Sequence, residues 1–394
     1  MNKVSLIIPT FNRPHLLPRA VESARRAARE VEIIVVDDAS SDSTASVCAA
    51  LPDIKYVRLD RNQGVAGARN VGLLESRGDF IAFLDDDDLR LPGSLDHQVF
   101  LLAAHAEAGF VAGGVMLADQ DCVPTGEVAI PRAESGDLFW KVLALDLHLI
   151  PDSVVVRKEC FYEVGIFNRR LAGIDDWDMW TRIAAERPVL VDPVPVCVYR
   201  VAAPKSGQGS SALGQHLYAA IKHQTNLFSL PRAHAAPPAQ RRAVRRSTRR
   251  RVADTLSWRA AEALPRDAFR FAASNFLIAL RLSPLWAVRP THMRVLWRSA
   301  STQLTARLMA RRPAPQAPSD SFGIFTWELM AKVSVIIVTH NCCRAMSGAR
   351  VTLKRGMPTP DWLTFMQCKQ PSGTVKNVTR YMKSPELPQR RPWN

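Results

Sequence analysis

Short β-branched runs alternate with helical spacing along the first two hundred residues. VSLIIP and VEIIVVD read as strands, and PHLLPRAVESARRAARE between them has the apolar period of a helix. IKYVRLD, VAGARNVGLLESRG and DFIAFLD repeat the alternation. The pattern predicts strands near 3–8, 32–37, 54–59 and 79–84, with further strands at 109–117, 153–157, 188–191 and 195–200. It also predicts a helix over 176–186. Strands that alternate with helices imply an α/β fold, a mainly parallel twisted sheet with helices on both faces.

The rhythm stops near residue 212. Residues 213–312 are rich in Ala, Leu and Arg without strand-like alternation, and read as several helices. RPAPQAPSDS, residues 312–321, is a linker by composition and opens the segment placed at 313–331. KVSVIIVTHN at 332–341 then repeats KVSLIIPTFN at 3–12 in seven of ten positions, but no helix–strand alternation follows it. The expected organisation is therefore a first domain over 1–212, a basic helical region over 213–312, the linker, and at 332–394 the truncated start of a second copy.

Charge sharpens this division. The net charge of +15 hides a split, with 21 Lys and Arg against 30 Asp and Glu in residues 1–200, and 31 against 7 beyond them. In RRAVRRSTRRR, Arg241, Arg245 and Arg249 recur at i, i+4 spacing beside Arg242, Arg246 and Arg250, so Arg241–Arg251 forms one basic stripe on a helix. Such a stripe suits an anionic membrane surface, and equally a plain solvated face. No nucleic-acid-binding motif accompanies it, so no nucleic acid partner is expected.

Seven cysteines without C-x-x-C or zinc spacing argue against a disulfide framework or structural metal and fit a cytoplasmic setting. The apolar run at the N-terminus is too short for a signal-peptide core. No uncharged apolar stretch reaches the roughly 20 residues needed to span a bilayer. The expected location is cytoplasmic, peripheral at the inner face of the membrane.

In α/β sheets of this kind, ligands bind outside the carboxyl ends of the strands. Two acid clusters fall there: Asp37 and Asp38 close the second strand, and Asp85 to Asp88 close the fourth. Adjacent carboxylates at a strand end call for a strongly positive partner.

IIPTFNRP, VVDDASSDST, NQGVAGARNVGL, FLDDDDL followed by LPGSL, and GIDDWDMWTRI occur in this order. Together, over roughly residues 3–200, they resemble the signature of the family 2 glycosyltransferases, inverting enzymes of the nucleotide-diphospho-sugar transferase (GT-A) fold. The resemblance implies transfer of a sugar from a nucleotide-diphospho-sugar, with UDP the expected carrier, to a hydroxyl of a glycan or lipid-linked acceptor in envelope or exopolysaccharide synthesis. The competing expectation is a catalytically silent nucleotide-sugar-binding scaffold.

Residue by residue, the family's D-x-D falls on Asp85 and Asp87. Asp87 is the expected contact for a divalent cation (Mg²⁺ or Mn²⁺), an ion that prefers oxygen ligands, with Asp85 beside it. Asp85 and Asp86 face ribose and phosphate, and Asp88 supports the loop. A carboxylate at Asp38 can accept the imide N–H of a uracil-type base; its other role would be to cap the following helix. Pro9, Thr10 and Phe11 line the same nucleotide pocket. Arg69 is a phosphate or base contact or else a solvated helix arginine.

Inverting transfer needs a general base within reach of the acceptor hydroxyl. The family places it in a Glu-Asp pair before a helix, here Asp175-Asp176, so Asp176 is the expected base. The alternative is that either aspartate caps that helix. Trp177 and Trp180 are core residues by spacing, although Trp177 is placed to meet an acceptor. Relatives carry a histidine shortly after Tyr-Arg where this chain has Ala202 and Ala203. Arg200, Lys205 or Ser210 would have to take over its work.

Overall fold

A computed structural model of the chain describes residues 4–147, 149–201, 213–264, 269–297 and a few short stretches beyond. The front half runs β1 (Val4–Thr10), α1 (Leu17–Ala27), β2 (Val31–Asp37), α2 (Thr44–Ala50), β3 (Ile54–Arg58), α3 (Gly64–Glu75) and β4 (Phe80–Phe83). It continues with β5 (Leu89–Arg90), α4 (Ser94–Ala104), β6 (Phe110–Ala118), β7 (Pro124–Ala129), α5 (Phe139–Leu143), β8 (Val154–Arg157), α6 (Glu159–Val164), α7 (Asp175–Glu186) and β9 (Val189–Arg200). The four strands expected first, and the helix expected at 176–186, stand within two residues of those bounds.

The sheet order is β3-β2-β1-β4-β8-β6-β9-β5, with β7 paired to β6. Strands β3, β2, β1 and β4 are mutually parallel. Beyond β4 the sheet is mixed: β8 runs antiparallel to β4 and β6, while β6 and β9 are parallel. Alternate residues of each strand feed opposite faces. Ile7, Ile34, Val36, Ile81 and Phe83 enter a core shared with α3, α5 and α7. Leu6, Ile8, Val35, Ala82 and Leu84 enter another beneath α1 and α4. Burial on both faces is why these strands read as almost unbroken apolar runs.

The two strands expected at 188–191 and 195–200 are one bulged strand, β9. Pro193 and Pro195 cannot donate to a ladder, so the register against β6 slips there. Gly113 and Gly114 of β6 let the bulge approach: a Cβ on Gly113 would lie 2.6 Å from Val196.

The helical region is α8 (Leu213–Leu227), α9 (Pro231–Ala235), α10 (Pro238–Ala263), α11 (Phe269–Leu282) and α12 (Pro284–Ala287). Its first part completes the core of the sheet domain, because Ala220, Leu227, Phe228 and Ala233 are buried in the cluster that holds Phe83 and Trp180. One compact unit spans Met1–Arg312 and a second Pro313–Asn394. In the second, β10 (Arg350–Val351), β11 (Gln367–Lys369) and β12 (Val375–Asn377) form an antiparallel sheet. Most of the expected linker and second copy lies outside the described residues.

Candidate active site

The carboxyl ends of β1, β2 and β4 meet at one edge. Asn12, in the left-handed region at φ 54°, turns the chain after β1. Its backbone N–H donates to Ser40 Oγ at 2.9 Å, and its Oδ1 accepts from Ser41 N–H at 2.9 Å. The loops after β1 and β2 are thereby stitched together. Pro9 and Thr10 are buried, while Phe11 is 43% exposed.

Asp38 does not cap the next helix in sequence. Its Oδ1 and Oδ2 accept Gln63 N–H at 2.6 Å and Gly64 N–H at 2.8 Å, at the start of α3. The carboxylate thus sits at the positive end of a helix one strand further on. Asp37 is internal scaffolding: it accepts Ser40 N–H at 2.8 Å and Tyr56 Oη–H at 2.7 Å.

The four aspartates after β4 have different surroundings. Asp86 accepts from Thr10 Oγ1 at 2.7 Å and from Arg13 at 2.9 Å; burial pushes its carboxyl up to about 6 against the pull of Arg13. Asp87 lies 3.6 Å from the Arg13 guanidinium and 3.3 Å from Arg200. Burial and the charge of Asp85 raise its carboxyl nonetheless. Arg200 is among the three residues expected to take over from the missing histidine, and it stands against Asp87. Lys205 and Ser210 lie outside the described residues. Asp88 is buried and accepts Arg200 N–H at 2.7 Å, which ties the loop to β9.

Asp152, which no motif announced, completes the cluster. It sits in the single 3-10 turn before β8, and its Oδ1 accepts Asp85 N–H at 2.6 Å. Burial and the neighbouring charge of Asp85 push its carboxyl up to about 8, and burial raises Asp88 well above the usual range. The buried Oδ2 atoms of Asp88 and Asp152 have no hydrogen-bond partner among the described residues.

Ligand oxygens of Asp85, Asp88 and Asp152 lie within 4.8 Å of one another. An all-oxygen set with orphaned buried acceptors fits a hard divalent cation. The fit includes Asp85 as expected but groups it with Asp88 and Asp152, whereas Asp87 faces guanidinium groups.

Arg69 links this edge to α7. Only 4% exposed, it donates to Asp85 Oδ1 at 2.7 Å and lies 3.3 Å from Asp175 Oδ2. Burial alone would favour the neutral form, but Asp85 and Asp175 more than offset it and hold the guanidinium charged. It is therefore neither a solvated helix arginine nor an open contact. Its Nε–H is buried without a hydrogen-bond partner among the described residues.

The N-cap position of α7 is Ile174, which makes no side-chain cap bond. Asp175 is buried and bound to Arg69. Asp176 is partly buried and accepts Trp177 N–H at 2.7 Å; burial and the charge of Asp175 push its carboxyl up to about 7. Trp177 is not an acceptor platform. It is buried, and its Nε1–H donates to Val142 O at 2.8 Å. Gly173, at φ 77°, turns the chain into α7 beneath the His216 ring of α8. His223 of α8 bonds Asp178 at 2.7 Å, and Arg182 closes on the same carboxylate at 2.8 Å.

Residues 5–138 match the model of glycosyl transferase family 2. The chain is 47% identical over 102 residues to the GalNAc(5)-diNAcBac-PP-undecaprenol beta-1,3-glucosyltransferase of Campylobacter jejuni, covering 24% of this chain and 33% of that protein. It is 40% identical over 99 residues to the succinoglycan biosynthesis protein ExoO of Rhizobium meliloti, covering 24% and 28%. An uncharacterized glycosyltransferase of Rickettsia felis is 29% identical over 226 residues, covering 54% of this chain and 36% of its own. The match thus spans only about a third of the length of these relatives. Staphylococcus aureus TarS 1-349, solved with UDP-GlcNAc, superposes with a TM-score of 0.51 at 17% identity over 78% of this chain and 92% of that one. That likeness shows a shared GT-A fold.

Proposed function

We propose that this chain, which carries a family 2 glycosyltransferase domain of GT-A fold, moves a sugar from a nucleotide-diphospho-sugar to an acceptor hydroxyl with inversion. Uridine diphosphate is the proposed carrier. The base would meet Asp38 and the exposed ring of Phe11, with Pro9 and Thr10 lining the same end of the first strand. The acceptor is a glycan or lipid-linked glycan. Supporting that class, the matched C. jejuni enzyme is named for a glycan on a diphospho-polyprenol, and ExoO for an exopolysaccharide.

Asp85, with Asp87 or with Asp88 and Asp152, would hold a divalent cation, which supplies positive charge to a departing diphosphate. Arg13 and Arg200 are placed to add to that charge, since phosphate oxygens are strong partners for guanidinium forks. Asp176 takes the proton of the acceptor hydroxyl. A carboxyl near neutrality balances availability as a base against strength as one.

One observation carries the reading. Buried Arg69 joins Asp85 at the donor edge to Asp175 beside the proposed base, so both halves of the reaction belong to one charged network. Asp176→Asn tests it. The variant keeps the size and most hydrogen bonding of the side chain, so UDP affinity by calorimetry should hold. Turnover should fall by a factor on the order of 10² or more. Wild-type turnover in the variant would remove Asp176 from the chemistry.

A further inference from the structure

Away from the active-site edge, the helical region carries a second concentration of unusual chemistry. Residues 213–297 contain fifteen Lys and Arg against three acids. The arginines of the basic stripe are not equivalent. Arg245 lies over the Phe228 ring at 4.7 Å, and Arg251 pairs with Asp146 at 2.5 Å. Arg246 and Arg250 instead point to a depression of ≈ 440 Å³ between α10 and α12, lined also by Ser247, Arg251, Asp254 and Trp286.

The wall is rich in donors. Asp254, its acid, is already engaged by Arg289 at 2.6 Å and His292 at 2.8 Å. The Arg250 and Arg289 guanidinium groups lie 4.8 and 4.4 Å from the Trp286 ring centre, which fixes their planes. Trp286 Nε1–H and Arg251 Nε–H are buried without a hydrogen-bond partner among the described residues. Two guanidinium forks and a hydroxyl line the depression, a set of donors that suits phosphate oxygens.

The rim is greasy. Leu285, next to Trp286, is 90% exposed, Val288 stands two residues beyond Trp286, and Trp258 continues the i, i+4 face of Arg246, Arg250 and Asp254 on α10. Exposed Leu and Trp around an arginine pocket belong at a lipid–water boundary, where the phosphate layer lies just above the acyl chains. No described helix is long and apolar enough to cross a membrane.

We propose that this depression is a phosphate-headgroup site by which α10 and α12 dock on an anionic membrane surface, with Leu285 and Val288 entering the acyl boundary. The inference goes beyond sugar transfer and does not depend on it.

Co-sedimentation of the full chain with vesicles tests it. Binding is expected to vesicles of phosphatidylcholine mixed with phosphatidylglycerol and not to phosphatidylcholine alone. Arg246→Ala with Arg250→Ala should lower the partition by a factor on the order of 30 at low salt, since each basic side chain at such a surface contributes several-fold. Arg26→Ala with Arg29→Ala, a charge-matched pair on and just after α1, should leave it nearly unchanged. An equal loss in both pairs would overturn the pocket in favour of net charge. Leu285→Ser should weaken binding several-fold more at high salt than at low salt, and unchanged salt behaviour would remove the acyl contact. Single Arg246→Glu, at an exposed position, should repeat the pair's loss if the double variant misfolds. Thermal unfolding and donor hydrolysis, read on every variant, separate loss of docking from loss of fold or of transfer. Equal binding of wild type to both vesicle types, or binding to random DNA with none to vesicles, would refute the proposal.

Discussion

Arg69 illustrates how one side chain can hold a site together. It is buried, charged and shared between Asp85 and Asp175, so removing it leaves two carboxylates facing each other without compensation. Arg69→Met should cost about 3–5 kcal/mol of stability, measurable by denaturant unfolding. The same charge holds the Asp176 carboxyl down against burial. If Asp176 is the base, wild-type activity rises with pH through about 7, because only the ionised form accepts a proton. Losing Arg69 raises that carboxyl further, so the acid limb of the pH–rate profile should move to higher pH. An unmoved limb would separate Arg69 from the base. The cation raises a second question at this scale, between Asp87 and the Asp88–Asp152 pair. Titration of UDP binding with Mn²⁺ separates them. Asp152→Asn should abolish the metal-dependent gain in affinity if the buried set holds the ion, and Asp87→Ala should do so if the D-x-D spacing does.

At the scale of elements, the site depends on how closely helices approach the sheet. Helix α3 presses on β1 at Gly72, where an added Cβ would lie 2.3 Å from Ile7 Cγ2 in the core. Gly72→Ala should cost about 1–3 kcal/mol by overpacking, and by shifting α3 should displace Arg69 as well. A fall in melting temperature of several degrees, accompanied by lower turnover, is the expected result. Gly173 is held twice. Its positive φ disfavours any side chain, and a Cβ would meet the His216 ring at 2.4 Å. Gly173→Ala is therefore expected to lower turnover more than nucleotide affinity, because it disturbs the entry to α7 and leaves the β1–β2 edge intact.

For the whole molecule, the informative boundaries are residues 212 and 312. Composition changes at the first, but the core does not end there. Leu227 and Phe228 are almost fully buried against the sheet domain. Burial of each such side chain contributes about 1.5–3 kcal/mol. A chain cut after Ala212 should therefore unfold or aggregate, whereas one cut after Arg312 should keep its circular dichroism, its melting temperature and its donor hydrolysis. A cut at 312 that destroyed hydrolysis would give residues 313–394 a part in the site.

The sheet strands, the acid clusters at their ends and the site edge follow from the sequence alone, because apolar alternation and adjacent carboxylates are local signals. VSLIIP and FIAFLDDDD announce a strand and its charged end within ten residues. Arg13 lay within a quoted motif, but its pairing with Asp86 joins residues 73 apart. Asp152 is a lone aspartate in IPDSVVV, and only pairing of β8 with β4 brings it beneath Asp85. Arg69 could be read as a helix arginine, yet its two partners come from a strand end and a helix 106 residues downstream. The membership of α8 in the core was equally hidden, since an Ala- and Leu-rich helix looks the same whether it packs on a sheet or on its neighbours. Which charges are buried together is settled by chain crossings, and those exist only once the sheet has formed.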